Sequence, residues 1–141
     1  MPQVKPVSGA VQAVAASALR AQQARMRIIA ENLANVDSTS ATPGGDPYRR
    51  QAPIFKPTKV PGGGGMGVKM TRVEPDRTDF KTAYEPGHPS ADAKGYVKLP
   101  NVDSLVEAMD MREAQRAYEA NLNVIETARA MEIRTLDLLK R

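Results

Sequence analysis

Apolar residues recur with helical spacing at both ends of the chain but not in its middle. Near the N-terminus they lie at two positions of one heptad. These positions are Leu19, Met26, Ile29, Leu33 and Val36. An apolar repeat of period 3.5 forms a seam that packs against a partner helix. The pattern predicts a helix over residues 10–36 with this seam as its interface.

A second helix is predicted after Pro100, running to the end of the chain. Asn101 or Asp103 can cap it, because a side-chain oxygen there accepts free amide protons of the first turn. About 40 residues at 1.5 Å each would make it about 60 Å long. Its predicted interface consists of Val102, Leu105, Met109, Tyr118, Leu122, Ile125, Leu136 and Leu139. The first helix is too short to cover it, so we expect packing against other molecules.

Proline and glycine concentrate between the two helices. Residues 43–100 hold nine of the 11 Pro and nine of the 10 Gly, and these residues interrupt regular structure. Short alternating segments there predict a small hairpin or sheet with long loops, with residues 62–65 forming a flexible glycine loop. The predicted fold class is mainly α with a small β-containing middle segment, in which the long N- and C-terminal helices pair as a coiled-coil-like bundle.

This organisation predicts three segments and one helical domain. Residues 1–42 form the N-terminal helical segment, 43–100 the Pro/Gly-rich middle, and 101–141 the long C-terminal helix. The middle segment is interpreted as an insertion between two helices that form one domain.

Composition removes most catalytic chemistry. The chain has no Cys and one His, which excludes thiolate nucleophiles and multi-histidine metal sites. His88 with Asp92 is interpreted as a turn, and Asp76 with Asp79 as a solvated loop. The glycines before Lys69 lack the order of a phosphate loop. We therefore expect no catalytic, cofactor-binding or metal-binding residues, and an enzyme is the weakest interpretation.

The one basic patch with an aromatic neighbour is Tyr48-Arg49-Arg50, followed by Lys56 and Lys59. It could bind RNA or phosphate, or it could contact acidic faces of partner chains. The interleaved aromatics of a stacking platform are missing, and the net charge is only +4. Contact with another protein subunit is therefore favoured, while a small nucleic-acid-binding module and a helical adaptor stay open as alternatives.

The N-terminus imitates a secretion signal. An uncharged segment from Pro6 to Leu19 contains Ala16-Ser17-Ala18, which fits a small-residue cleavage site. Polar residues interrupt this segment, and it continues into the predicted helix, so mature structure is favoured over a cleaved signal. No apolar run of 18 residues is present, so no transmembrane helix is predicted.

Four stretches, taken in order, resemble one known family. The first contains Asn32, Leu33, Ala34 and Asn35 within residues 29–39, and the next two are residues 46–51 and 88–103. The last, residues 109–121, ends in Tyr118, Glu119, Ala120 and Asn121. Together they resemble the bacterial flagellar rod and hook axial proteins, specifically the C-type proximal-rod branch. Thr39 leads into a Ser- and Gly-rich segment, as in that branch.

The resemblance implies a structural, non-enzymatic subunit of the flagellar basal body. Such a subunit would polymerise into the proximal rod, which transmits torque and encloses the export channel. Its implied partners are B- and F-type rod proteins, a rod-to-ring adaptor, the flagellar type III export apparatus and copies of itself. It would lie in the periplasm, be exported without a cleaved signal, and bind no cofactor, nucleic acid or small-molecule substrate.

Overall fold

The structure is a computed structural model that describes residues 7–62 and 64–140. Two helices, α1 (Val7–Ala34) and α2 (Ser104–Leu139), flank the strands. The strands are β1 (Gln51–Lys59), β2 (Met66–Pro75), β3 (Lys81–Tyr84) and β4 (Tyr96–Leu99). β1 pairs with β2, and β3 pairs with β4, in two separate two-stranded sheets.

Polar side chains mark the facing ends of the two helices. The side-chain amide of Asn35 donates to the carbonyl of Glu31, just beyond the end of α1. Asp103 Oδ1 accepts the amide protons of Leu105 and Val106 at 2.9 and 3.4 Å. Asp103 is therefore the N-cap of α2, since its carboxylate satisfies amides that have no partner within the helix.

The chain divides into two compact units. The first comprises the described residues of Met1–Arg25, Ile54–Arg72 and Glu113–Arg141. The second comprises Met26–Pro53 and Val73–Arg112. The first unit thus holds the N-terminal part of α1, the turn end of the β1–β2 hairpin and most of α2. The second holds the sheet of β3 and β4.

The first unit is packed through small residues. Its buried side chains are Ala15, Ser17, Ala21, Val60, Ala114 and Ala128. Ser17 Oγ donates to the carbonyl of Val14 and accepts the amide proton of Val68, which joins α1 to β2. A Cβ atom on Gly67 would lie 2.3 Å from Ser17 Oγ. The hairpin therefore approaches α1 at a distance that only glycine permits.

The second unit buries branched side chains. Ile28, Ile29, Val97 and Val102 form its apolar interior. β3 and β4 are antiparallel, with Lys81 opposite Leu99 and Tyr84 opposite Tyr96. The two tyrosine rings meet edge to face at 5.2 Å, a favourable arrangement for aromatic rings. Gly95, beside Tyr96, takes a φ of 86°, which glycine adopts without strain.

The predicted fold class is wrong. The structure combines two helices with two small antiparallel sheets, and the β1–β2 sheet covers part of α1 through Ser17 and Val68. The helices contact each other, as at Arg25–Glu113, but their buried positions are mainly Ala and polar residues. A coiled coil requires interlocking large side chains at these positions. The heptad spacing could not show that a sheet would pack on α1 at Ser17, outside the apolar seam.

Substituting Gly67 by Ala tests the close approach of the hairpin to α1. The added methyl group would also lie 2.8 Å from Val60 Cγ1, so we expect a loss of about 1–3 kcal/mol in the free energy of unfolding. Gly87→Ala is the matched control, because its Cβ would meet nothing within 4 Å. Urea unfolding of both variants measures the difference, and equal stability would contradict the packing described.

Candidate assembly site

The family-signature residue Asn32 lies at the centre of a buried polar network in the second unit. Only 1% of its surface is exposed. Its Oδ1 accepts hydrogen bonds from the Tyr48 hydroxyl at 2.7 Å and the Gln51 amide at 2.9 Å. Its Nδ2 donates to the Gln51 carbonyl at 2.9 Å and to Glu107 Oε2 at 3.4 Å. All the hydrogen-bonding capacity of this amide is used, so Asn32 joins α1, β1 and α2.

Glu107 is the fully buried charge of the same network, with 0% of its surface exposed. Arg50 Nε donates to Glu107 Oε1. The guanidinium also lies 3.5 Å from Asp76 Oδ2 and 3.8 Å from Asp110 Oδ2. A buried carboxylate is tolerated when it is paired and hydrogen-bonded, and Arg50 with Asn32 meets that requirement.

Arg49 is held in the same unit by different contacts. Its guanidinium carbon lies 4.1 Å from the centre of the Phe80 ring, a cation–π geometry. Its Nη1 donates to the carbonyls of Asp76 and Thr78 at 2.8 and 2.9 Å. The three residues predicted as a subunit contact, Tyr48, Arg49 and Arg50, therefore all make contacts within the chain.

Tyr48 and Asp76 are among the groups of this network whose pKa values are shifted. Burial raises the pKa of Tyr48 above its ordinary value of 10.0, and the charges of Glu31 and Glu107 raise it further. Hydrogen bonds from Thr78, the backbone amide first, lower the pKa of the Asp76 carboxyl below 3.8. The network thus favours a neutral phenol at Tyr48 and a carboxylate at Asp76.

Several members of this site are not indicated by the sequence. Asp76 is expected in a solvated loop but lies 3.5 Å from the Arg50 guanidinium. Asn101 is expected as a helix cap. Its Oδ1 instead accepts the Arg50 amide proton at 2.8 Å, and its Nδ2 donates to the Asp76 carbonyl at 3.0 Å. Glu107 was not singled out, although an acidic residue in the first turn of a helix is itself a signal of local stabilisation. Nothing in the sequence indicated its partner.

The predicted interface residues differ in exposure. On α1 and just after it, Ile29 is buried, whereas Leu19, Met26, Leu33 and Val36 are half-buried. Val102 is buried just before α2, and Tyr118 and Ile125 are half-buried. The exposed ones are Leu105, Met109, Leu122, Leu136 and Leu139. These large apolar side chains keep between 38% and 77% of their surface exposed among the described residues.

The remaining signature residues are mostly at the surface. Ala34, Glu119 and Ala120 are exposed, while Asn35 and Asn121 are half-buried. Asn121 donates to the carbonyl of Ala117, four residues earlier in α2. Their side chains therefore contribute locally to the helices or face solvent.

Large apolar side chains are concentrated on the exposed surface of the C-terminal part of α2. Leu136 is 53% exposed and Leu139 77% exposed. Other exposed members of this group are Val124, Met131, Ile133 and Leu138. An exposed apolar surface of this kind marks a site of association. No helix among the described residues is long and apolar enough to cross a bilayer.

His88 and Asp92 lie in turns. His88 Nδ1 accepts the amide proton of Ser90 at 3.0 Å. Asp92 Oδ1 accepts the amide protons of Lys94 and Tyr96. Over residues 7–62 and 64–140, no group of three or more acidic, His or Cys side chains could hold a metal ion. The second unit therefore carries a buried polar network, and the α2 residues of the first unit carry an exposed apolar surface.

Comparison with known proteins identifies the class to which this arrangement belongs. Residues 13–41 match the family described as flagella basal body rod protein. Residues 93–138 match the C-terminal family of flagellar basal body rod FlgEFG proteins. Both ends of the chain therefore match rod proteins of the bacterial flagellum.

Relatives that align over most of the chain define the branch. The chain is 47% identical over 135 residues to the flagellar basal-body rod protein FlgC of Agrobacterium fabrum, covering 96% of each chain. It is 45% identical to FlgC of Escherichia coli O6:H1, covering 89% of this chain and 92% of the relative. The identity to FlgC of Bacillus subtilis is 37%, with 90% and 95% covered.

The chain belongs to the FlgC family of flagellar basal-body rod proteins. It is a structural rod subunit of the flagellar basal body, which confirms the resemblance found in the sequence. The relatives are structural rod proteins, and family membership supports assembly with other basal-body components.

Removing the partner of Glu107 tests the buried network. Arg50→Ala would leave this carboxylate buried without its cation, and we expect a loss of about 3–5 kcal/mol in the free energy of unfolding. Arg77→Ala is the control, because Arg77 is exposed and such surface changes stay within about 0.5 kcal/mol. Chemical unfolding measures both. Similar stabilities for the two variants would refute the role assigned to Arg50.

The pKa of Tyr48 predicts a distinct behaviour in alkali. The pKa of Tyr48 is higher in the folded chain than in the unfolded chain, where it is about 10.0. The protonated phenol therefore stabilises the fold below pH 10, and this stabilisation is lost as the pH rises through the folded value. The absorbance titration of the four tyrosines should contain a component at higher pH that Tyr48→Phe removes. Indistinguishable high-pH limbs in the two titrations would show that burial does not protect the Tyr48 proton.

Proposed function

We propose that the chain polymerises with other rod proteins into the proximal rod, the drive shaft that transmits torque and encloses the export channel. The observation that carries the proposal is the exposed apolar surface of α2, exemplified by Leu136 and Leu139. This surface is costly to leave in water but is suited to burial between subunits. Burial of each such side chain contributes about 1.5–3 kcal/mol.

Torque transmission requires a subunit that does not deform. Close-packed interiors resist shear, and the small-residue contacts of the first unit leave little room for sliding. In the second unit, the Asn32 and Glu107 network fixes the helix ends against β1 by directional bonds. Units that are each closely packed inside, together with the exposed apolar surface of α2, support the role of a load-bearing subunit.

The proposed interfaces use the predicted seams. On the N-terminal side they comprise Leu19, Met26, Ile29, Leu33 and Val36. On the C-terminal side they comprise Val102, Leu105, Met109, Tyr118, Leu122, Ile125, Leu136 and Leu139. The half-buried members would lose their remaining exposure on assembly. Ile29 and Val102 are already buried within the chain, so they would support the interfaces from inside rather than contact a partner. Tyr48, Arg49 and Arg50 would act indirectly, by holding the second unit in shape.

The proposed partners are B- and F-type rod proteins, a rod-to-ring adaptor and further copies of the chain. The proposed location is the periplasmic rod, reached through the flagellar type III export apparatus. Retention of the N-terminus is supported by Ser17, which lies inside α1 and accepts the amide proton of Val68. Cleavage after Ala18 would remove this contact and the first part of the helix.

Electron cryotomography of cells that lack the chain tests this function. Basal bodies should stop at the inner-membrane ring, and the rod should return when the chain is restored. Complete rods in the deleted cells, in a strain without a paralogue, would refute the proposal and favour a helical adaptor. Rods that are incomplete at a later, distal stage would refute the proximal position.

Placing a charge on the exposed apolar surface of α2 should block assembly without unfolding the subunit. Leu122→Asp and Leu136→Asp change side chains that are exposed in the single chain, so the circular dichroism spectrum should stay unchanged. In the rod the new carboxylate would be buried without a partner, at a cost of several kcal/mol, and swimming should be lost.

Gln115→Asp is the matched control for these two variants. Gln115 is an exposed polar residue of the same helix, so this variant adds the same charge at a position that is already polar. It should swim normally. Normal swimming of Leu136→Asp as well would contradict the assignment of this surface to an interface.

A further inference from the structure

Methionine supplies all the sulfur of this chain, which has seven Met and no Cys. No thiol therefore competes with the thioethers for an oxidant, and the most exposed thioethers react first. Six of the methionines lie among the described residues. Three of them are exposed, namely Met66 at 56%, Met109 at 63% and Met131 at 62%. The half-buried ones are Met26, Met70 and Met111.

Met131 lies in the middle of an exposed apolar row on α2. Val124 is seven residues before it and 43% exposed, and Leu138 is seven residues after it and 70% exposed. Residues seven apart lie on the same side of a helix, separated by about 10.5 Å. All three belong to the first unit. The Met131 thioether is therefore flanked by side chains of the apolar surface on which the proposed function rests.

We propose that Met131 is an oxidation site at which a peroxide blocks assembly, because its sulfoxide forms on the unassembled subunit and keeps the α2 surface from being buried. The inference rests on the proposed function and adds a regulation of the same surface. In the assembled rod, neighbouring subunits would cover the thioether and protect it.

The oxidation needs only access to the sulfur atom. A lone pair of the Met131 sulfur attacks one oxygen of hydrogen peroxide, and the S–O bond forms as the O–O bond breaks. The sulfur loses two electrons and the peroxide gains them. The proton on the transferred oxygen passes to the departing hydroxide, so the products are one sulfoxide and one water. Methionine sulfoxide reductases restore the thioether.

The sulfoxide changes the property of the surface that association uses. It replaces an apolar side chain by a polar one. In the free subunit water solvates the S–O bond, and the exposed Arg134, three residues further along the helix, is a second donor within reach. Burial against apolar side chains would remove that hydration at a cost in free energy. The oxidised subunit therefore keeps its fold and loses its gain from association.

Two substitutions separate polarity from shape at this position. Met131→Gln places a permanent polar group there, and the yield of complete rods should fall about tenfold. Met131→Leu is the matched control, because it keeps an apolar side chain of similar volume and removes the sulfur. Its yield should stay within about twofold of the original. The circular dichroism spectrum should be unchanged in both variants, since Met131 is exposed in the single chain.

Peroxide itself tests the site. Cells that make the original chain should lose complete rods in sublethal hydrogen peroxide, and cells with Met131→Leu should retain them. Trypsin releases residues 130–134 as a peptide whose one methionine is Met131. Mass spectrometry of this peptide should show that dilute hydrogen peroxide oxidises Met131 about tenfold more slowly in purified basal bodies than in the purified subunit.

The outcomes separate this inference from the proposed function. Full rods with Met131→Gln, or lost rods with Met131→Leu, would overturn it, because polarity at this position would then not control assembly. Equal loss of rods in peroxide for the original chain and Met131→Leu, or equal oxidation rates in the subunit and the basal body, would overturn it as well. None of these results affects the deletion experiment, in which complete rods without the chain would refute the proposed function itself.

Discussion

A carboxylate that is buried away from water needs a cation or hydrogen-bond donors beside it, and Glu107 is such a carboxylate in the second unit. Arg50 supplies the cation and Asn32 a hydrogen bond. Asn32 in turn bonds both the amide and the carbonyl of Gln51. The start of α2, the start of β1 and the end of α1 are therefore fixed by one set of interactions. Removal of any member leaves another polar group buried without a partner.

The two units are packed with different types of residue. The first uses Ala, Ser and Gly, so its backbones approach closely and bury little apolar side-chain area. The second uses branched residues and a polar network. A consequence of the first solution is that the large apolar residues of α2, such as Met131 and Leu138, are left outside. These exposed apolar side chains are therefore available for contact with another molecule.

Periodicity was informative about helices and uninformative about their buried faces. The spacing of Leu19, Met26 and Leu33 identifies α1, but a buried contact of this helix with the hairpin is made by Ser17, which no apolar pattern includes. The glycines near Gly67 suggested a flexible loop, yet their small size permits contact with α1. Arg50 resembled part of a surface patch because its partner Glu107 is 57 residues away. Local patterns contain no information about such distant pairs.

The burial of Glu107 beside the half-buried Arg50 has a consequence for how the subunit responds to its surroundings. Mobile ions screen charges that water reaches and have less effect on a charge that is removed from water. A change in ionic strength therefore has little effect on the network around Glu107, while it alters the interactions of charges at the surface. The fold and the outer contacts of the subunit thus respond to salt independently, and assembly can be weakened or strengthened without unfolding the part that is assembled.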